Sequence, residues 1–280
     1  YDYNPIMCTE ANNNIYFALR DKNRRASLYY LPKKDFLLSL TEPTEPLLLF
    51  DYRNHNDCTG IMPSSYSDQN LWLIIWQINE GMVYAPKIGR AAHDSNQPIR
   101  QIEEIEIQTS GKAGLFYSSP HAEKSDKDLF WVVKGITQNP EHNIPDAKYD
   151  LVMGRNILAN SNTSSKIMLE EMRTISSPDM SFGRICPLNH SSFKNTYLMC
   201  GRPLHKRNSF NNAPYKIYMY SAQSNQNDII NLDDLSPVSL DYGEKNSENM
   251  EAYPCMFTYR EESYIIINTD NKALVFKFTS

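Results

Sequence analysis

Five prolines divide the chain almost evenly. Pro5, Pro63, Pro120, Pro187 and Pro254 stand 58, 57, 67 and 67 residues apart. About ten residues after each comes a short apolar run with an aromatic residue in it. These runs are Ile15-Tyr16-Phe17, Leu71-Trp72-Leu73, Leu129-Phe130-Trp131, Tyr197-Leu198-Met199 and Tyr264-Ile265-Ile266. Self-similarity at a near-constant period indicates one supersecondary unit used repeatedly, because such a unit buries its apolar face only against its neighbours. A repeat that runs end to end argues for one domain, although 280 residues would allow two.

Each repeat reads as a series of strands. The first surrounds the marker proline and the second is the aromatic run. A third, alternating strand is expected at Ala26–Leu31, Lys87–Ala92, Tyr149–Gly154, Tyr215–Ala222 and Leu274–Phe278. A fourth follows at Leu47–Asp51, Ile102–Ile107, Ile167–Met172 and Val238–Tyr242. Polar clusters such as Glu10-Ala11-Asn12-Asn13-Asn14 and Ser67-Asp68-Gln69-Asn70 supply the turns. Lys166–Arg173 has good helix propensity, but its place in the repeat favours an outer strand. The expected fold is all-β, a five-bladed β-propeller with blades near 1–52, 53–110, 111–175, 176–243 and 244–280. A proline at the head of each innermost strand fits, since proline lacks the ladder donor. The fifth blade shows three strands. Either residues before Tyr1 supply its fourth or the blade has three.

Composition narrows the function. A formal charge of -5 without a basic stripe argues against a nucleic-acid partner. No run approaches the roughly 18 apolar residues of a membrane span. Five cysteines in no paired spacing read as buried reduced thiols, which fits a cytoplasmic protein. The chain opens on Tyr1, which fits a trimmed product whose address signals lie elsewhere. Six histidines share no spacing, so no metal site is expected; His55 is the one nearest the expected channel. Phosphate-cradling and nucleophile motifs are missing, so no cofactor is expected either.

Several segments carry a family pattern. Asn56-Asp57-Cys58-Thr59-Gly60-Ile61-Met62-Pro63 resembles the Asp-x-Ser-Gly-(Ile/Val)-Met-Pro segment of five-bladed propellers similar to family 43 and family 32 glycoside hydrolases, a group associated with polysaccharide biosynthesis. Gly114–Pro120, Phe182–Pro187, Tyr215–Ala222 and Ser247–Pro254 resemble later segments of that pattern, in order. The chain departs from it at Ile267-Asn268-Thr269-Asp270-Asn271, where the family has a glycine-rich tail, and at Trp76, displaced by two places. The resemblance implies a carbohydrate-active protein with a saccharide or polysaccharide partner. It also implies an acid from each of the first three blades. Asp57 lies near the second place, Asp2 substitutes poorly for the first, and Ser118 stands where the third is wanted.

In a propeller the first strands converge on the axis, so side chains just before each marker face a common cavity. Asp57 and Glu248 are the candidate acid and base, since glycoside cleavage needs two carboxyl groups of opposite protonation. Arg184, Arg20, Tyr117, Ser118, Glu251 and Tyr253 are candidate substrate contacts. Each has a plainer reading. Asp57 suits a turn, Arg184 could pair with Asp57 or Glu248 across the channel, Glu248 could be a solvated loop residue, and Tyr117 and Tyr253 could be packing aromatics. A glycan-binding or protein-interaction propeller without catalysis is the alternative function.

Overall fold

The computed structural model describes the chain except residues 1–4, 24, 56, 80–81, 84–85, 95–96, 109–114, 123–127, 137–147, 159–164, 189–195, 204–215, 222–228, 231–235, 238–252, 269–272 and 279–280. Nearly everything else is strand. The first antiparallel unit comprises β1 (Pro5–Ala11), β2 (Asn14–Arg20), β3 (Ala26–Pro32), helix α1 (Lys33–Leu38) and β4 (Leu47–Phe50). A 3-10 turn at Tyr52–Asn54 leads to β5 (Gly60–Ser67), β6 (Asn70–Trp76), a small hairpin β7–β8 (Ile78–Asn79, Met82–Val83), β9 (Lys87–Ala92) and β10 (Glu103–Gln108). The third unit is β11 (Leu115–Ala122), β12 (Leu129–Ile136), β13 (Lys148–Asn156) and β14 (Lys166–Ile175). The fourth is β15 (Met180–Pro187), β16 (Thr196–Pro203) and β17 (Lys216–Ser221), with short β18 (Ile229–Ile230) on β14 and β19 (Ser236–Pro237) on β17. The fifth is β20 (Tyr253–Tyr259), β21 (Glu262–Asn268) and β22 (Ala273–Phe278).

The apolar runs lie within the second strands, whose middle residues are apolar in succession because both faces are covered there. In β12, Phe130 and Val132 pack toward the second unit, whereas Trp131 and Val133 pack toward the fourth. In β16, Tyr197 and Met199 face the third unit, and Leu198 and Cys200 the fifth. In β21, Ile265 and Ile267 face the fourth unit, and Ile266 faces the first. Strand periodicity of two thus sends alternate residues to opposite neighbours. The first strands pack the same way: β1 against β5 and β20, β11 against β5 and β15, and β15 against β20. The chain of contacts therefore returns to its start.

The seam between fifth and first units is filled by Cys8, Ile15, Phe17, Leu31, Phe36, Cys255, Phe257 and Ile266. Helix α1, which the sequence did not announce, delivers Phe36 to it, 6.2 Å from Phe17 and 6.0 Å from Phe257 between ring centres. Lys33, at the start of α1, donates to the Thr258 carbonyl at 2.8 Å and pairs with Glu10 at 2.9 Å.

The marker prolines need a correction. Each lies in a first strand, but they do not head those strands alike. Pro5 opens β1 and Pro254 is second in β20, yet Pro63 is fourth in β5, Pro120 sixth in β11 and Pro187 last in β15. The reason is a bulge. Four first strands carry one extra residue against their partner: at Met7-Cys8, Ser64, Ser119-Pro120 and Gly183-Arg184. A bulge suspends the ladder locally, so Pro63 beside one and Pro120 within one cost no hydrogen bond. Across the first four units the prolines drift from three residues before the bulge's last residue to three after it. The segment Val238–Tyr242 lies outside the described residues. All five cysteines are buried and unpaired in disulfides, as the sequence suggested. No helix is long and apolar enough to cross a membrane among the described residues.

Candidate functional site

The bulges meet at the centre. Arg184, 1% exposed, rises from the bulge of β15. One terminal nitrogen donates to the Cys8 carbonyl in the bulge of β1, and the other to the Ser64 carbonyl in the bulge of β5. Ser64 and Ser65 donate in turn to the Pro120 carbonyl in the bulge of β11, at 2.7 and 2.9 Å. Bulging releases main-chain carbonyls from the ladder, and a buried carbonyl without a donor is costly. A guanidinium fork can serve two of them at once. One side chain thus ties three units, and the serine pair adds a fourth.

Thiols surround this knot. Cys200 donates to the Arg184 carbonyl at 3.9 Å, and burial pushes its thiol up to about 12. Burial likewise holds the Cys255 thiol well above its usual range. These sulfurs stay neutral and behave as small apolar groups.

The sequence expectation puts the channel mouth at the starting ends of the first strands. Arg20 pairs with Ala26, and Ala26 with Gly60 in the parallel contact between β3 and β5. Asp57 precedes Gly60 by three residues, so the ladder places Arg20 and Asp57 at the same end of the molecule, and both are exposed. Asp57 adopts a left-handed backbone with φ 53°, a conformation aspartate tolerates better than most residues. The turn is fixed on its far side: the Thr59 main-chain N–H donates to the Trp76 carbonyl at 2.9 Å, and its hydroxyl to the same oxygen at 3.2 Å. Cys58 turns inward, where burial raises its thiol to about 11.

The remaining expected site residues fall at different depths. Tyr117 and Ser118 are third and fourth in β11, deeper than Asp57, and Tyr253 opens β20. The side chains of all three lie outside what is described, as do Glu248 and Glu251 entirely. Arg184 is deeper still. Its terminal nitrogens serve main-chain carbonyls rather than Asp57, and no described carboxylate forms an ion pair with it. His55, the histidine expected nearest the channel, meets Glu104 of β10 at 3.2 Å. Aligning by proline placed all these residues on one level; the bulges separate them. Ser64 and Ser65 escaped sequence reading, although two adjacent serines in the middle of a mostly apolar inner strand were the available signal.

The sequence matches no family profile and no curated protein. Solved structures do match. The chain has the β-fold of solved glycoside hydrolases. It superposes on an endo-arabinase from Bacteroides thetaiotaomicron with a TM-score of 0.53 and 12% identity, over 99% of this chain and 94% of that one. A xylan beta-1,4-xylosidase from Bacillus halodurans gives 0.52 at 10% identity over 99% of this chain, which spans only 53% of the xylosidase. The GH43_1 enzyme from Xanthomonas citri, complexed with xylotriose, gives 0.51 at 11% identity, over 98% of this chain and 85% of that one. These identities speak for the fold alone. They agree with the likeness to family 43 propellers that the sequence segments carry.

Proposed function

We propose that the chain is a five-bladed β-propeller that binds a saccharide at its axial mouth. Support comes from the fold shared over nearly the whole chain with carbohydrate-active structures, and from the circuit of first strands that brings Arg20 and Asp57 to one open end. In this reading the blades run near 1–52, 53–110, 111–175, 176–243 and 244–280. Arg20, Tyr117, Ser118, Glu251 and Tyr253 contribute to the mouth. Arg184 acts from beneath, by holding the β1 and β5 bulges at a fixed separation. A glycan array tests the binding: a retained saccharide class should be lost in Arg20→Ala and Asp57→Asn proteins that melt like the wild type. An array with no retained saccharide would reject the reading in favour of a protein-binding propeller.

One observation favours a catalytic reading at the same mouth. Asp57 is exposed on a turn anchored by Thr59, which suits a carboxylate that must hold its direction. Asp57 and Glu248 would then divide acid and base roles in glycosyl cleavage or transfer. Sugar release from a glycan library should then vanish in both Asp57→Asn and Glu248→Gln. Undiminished release in either removes that residue from the chemistry.

A further inference from the structure

Large apolar side chains gather at one place on the described surface. Six are exposed, and four of them fall between residues 38 and 48: Leu38 at 41%, Leu40 at 49%, and Leu47 and Leu48 at 51% each. Leu47 and Leu48 belong to β4, which pairs with β3 on one side and with no other described strand. Successive residues of a strand point to opposite faces, so β4 is open on both faces at its start. At its end, Leu49 and Phe50 are 3% and 5% exposed and belong to the core. An open strand edge flanked by leucines invites another strand.

Charge decides which strand. Before β4 stand the exposed Glu42 and Glu45, and neither forms an ion pair among the described residues. After it stand Asp51, already ion-paired with the exposed Arg53, and, held on the Tyr52 hydroxyl at 3.3 Å, the exposed Arg25. The edge therefore carries two carboxylates at one end and, with Asp51 and Arg53 offsetting each other, the positive charge of Arg25 at the other. The geometry points to a second copy of this chain as the occupant, its β4 running antiparallel about a two-fold axis between Leu48 and Leu49. Leu47 then lies opposite Phe50 of the second copy, and Leu48 opposite Leu49, so the open half of each strand meets the covered half of the other. Glu45 comes beside Tyr52 of the second copy and hence beside the Arg25 held on that tyrosine's hydroxyl. A parallel pairing would set glutamate against glutamate. Such a contact is self-complementary and closes at two chains. Pro46, with no N–H to give, and the turn at Tyr52–Asn54 confine it to four residues and block open-ended strand addition.

Sedimentation equilibrium across a dilution series tests it. The mass should rise with concentration toward twice the 32.4 kDa of one chain. The Leu47→Lys/Leu48→Lys protein should stay monomeric. Glu45→Arg and Arg25→Glu should each weaken dimerisation about tenfold through like-charge contacts, and combining them should restore it. All these positions are exposed, so the variants should melt with the wild type. A wild-type monomer at every concentration overturns the proposal, as does a dimer that survives the leucine changes. A double charge variant that fails to regain affinity also overturns it, because only the antiparallel pairing makes those two residues partners.

Discussion

Arg184 is a whole positive charge with 1% of its surface in contact with solvent, and its partners are neutral carbonyls. Burying a charge is expensive, so the fork contributes through the two bulge carbonyls it serves. Arg184→Met keeps the volume and removes the charge. It removes two charge-assisted hydrogen bonds at about 1–3 kcal/mol each but recovers desolvation, so a net loss of about 2–3 kcal/mol in urea unfolding is expected. Arg184→Lys should recover only part, since a point charge cannot serve both carbonyls. A Met variant as stable as the wild type would mean the knot contributes nothing. His93 offers a second test. It is 5% exposed, with Nε2 2.9 Å from the Tyr16 hydroxyl, which itself receives a long hydrogen bond from Asn14. Asn14 thus leaves the phenol proton for His93, whose Nε2 accepts it in the neutral ring. Burial lowers the His93 pKa and lifts that of Tyr16 to about 12. Below about pH 6.5 the unfolded chain takes up a proton that folded His93 resists, so stability falls as pH drops through that value. His93→Gln should flatten the decline between about pH 7 and pH 5 by up to about 1.4 kcal/mol per unit. An identical slope in both proteins would show that His93 titrates alike folded and unfolded.

At the scale of elements, what the sequence disclosed follows from what each strand touches. The second strands stood out because both faces of their middle residues are buried, which leaves an unbroken apolar run between polar ends. The fourth strand β14 was legible despite its helix-forming residues: Ile167 and Leu169 are buried while Met168 and Glu170 are exposed, so period two prevails over propensity. The bulges were not legible, because no residue type demands one, and Met7 adopts a left-handed φ of 46° that methionine rarely takes. Site depth was lost with them, which is why Arg184 looked like a channel residue. Helix α1 was missed because six residues after a proline show no helical period. Its worth is measurable. Phe36→Ala should cost about 3–5 kcal/mol as a core truncation. The loss should speed amide exchange in β21 and β22 before it affects β12, because Phe36 contacts the fifth unit through Phe257. Uniform acceleration throughout would place Phe36 in a common core instead of a seam.

For the whole molecule, the question is whether the last unit is an end. In an open array, terminal repeats have one neighbour and fray, and interface energies fall off toward the ends. Here Ile266 of the fifth unit is fully buried against the first, in the same way that Leu73 of the second unit is fully buried against the first from the other side. A closed circuit makes these positions equivalent, although one joins sequence neighbours and the other joins units at opposite ends of the chain. Ile266→Ala and Leu73→Ala should therefore each cost about 2–5 kcal/mol and remain within roughly 1 kcal/mol of each other. Unfolding should stay a single transition with an unchanged m-value, since no unit can leave without uncovering two others. Slow amide exchange should reach the same ceiling in β21 as in β6. If β21 exchanges by a local opening far below the global free energy, and Ile266→Ala costs little, the fifth unit only rests beside the first. Under the proposed function, the mouth would then open along that side, and a saccharide held from several blades at once would lose part of its support.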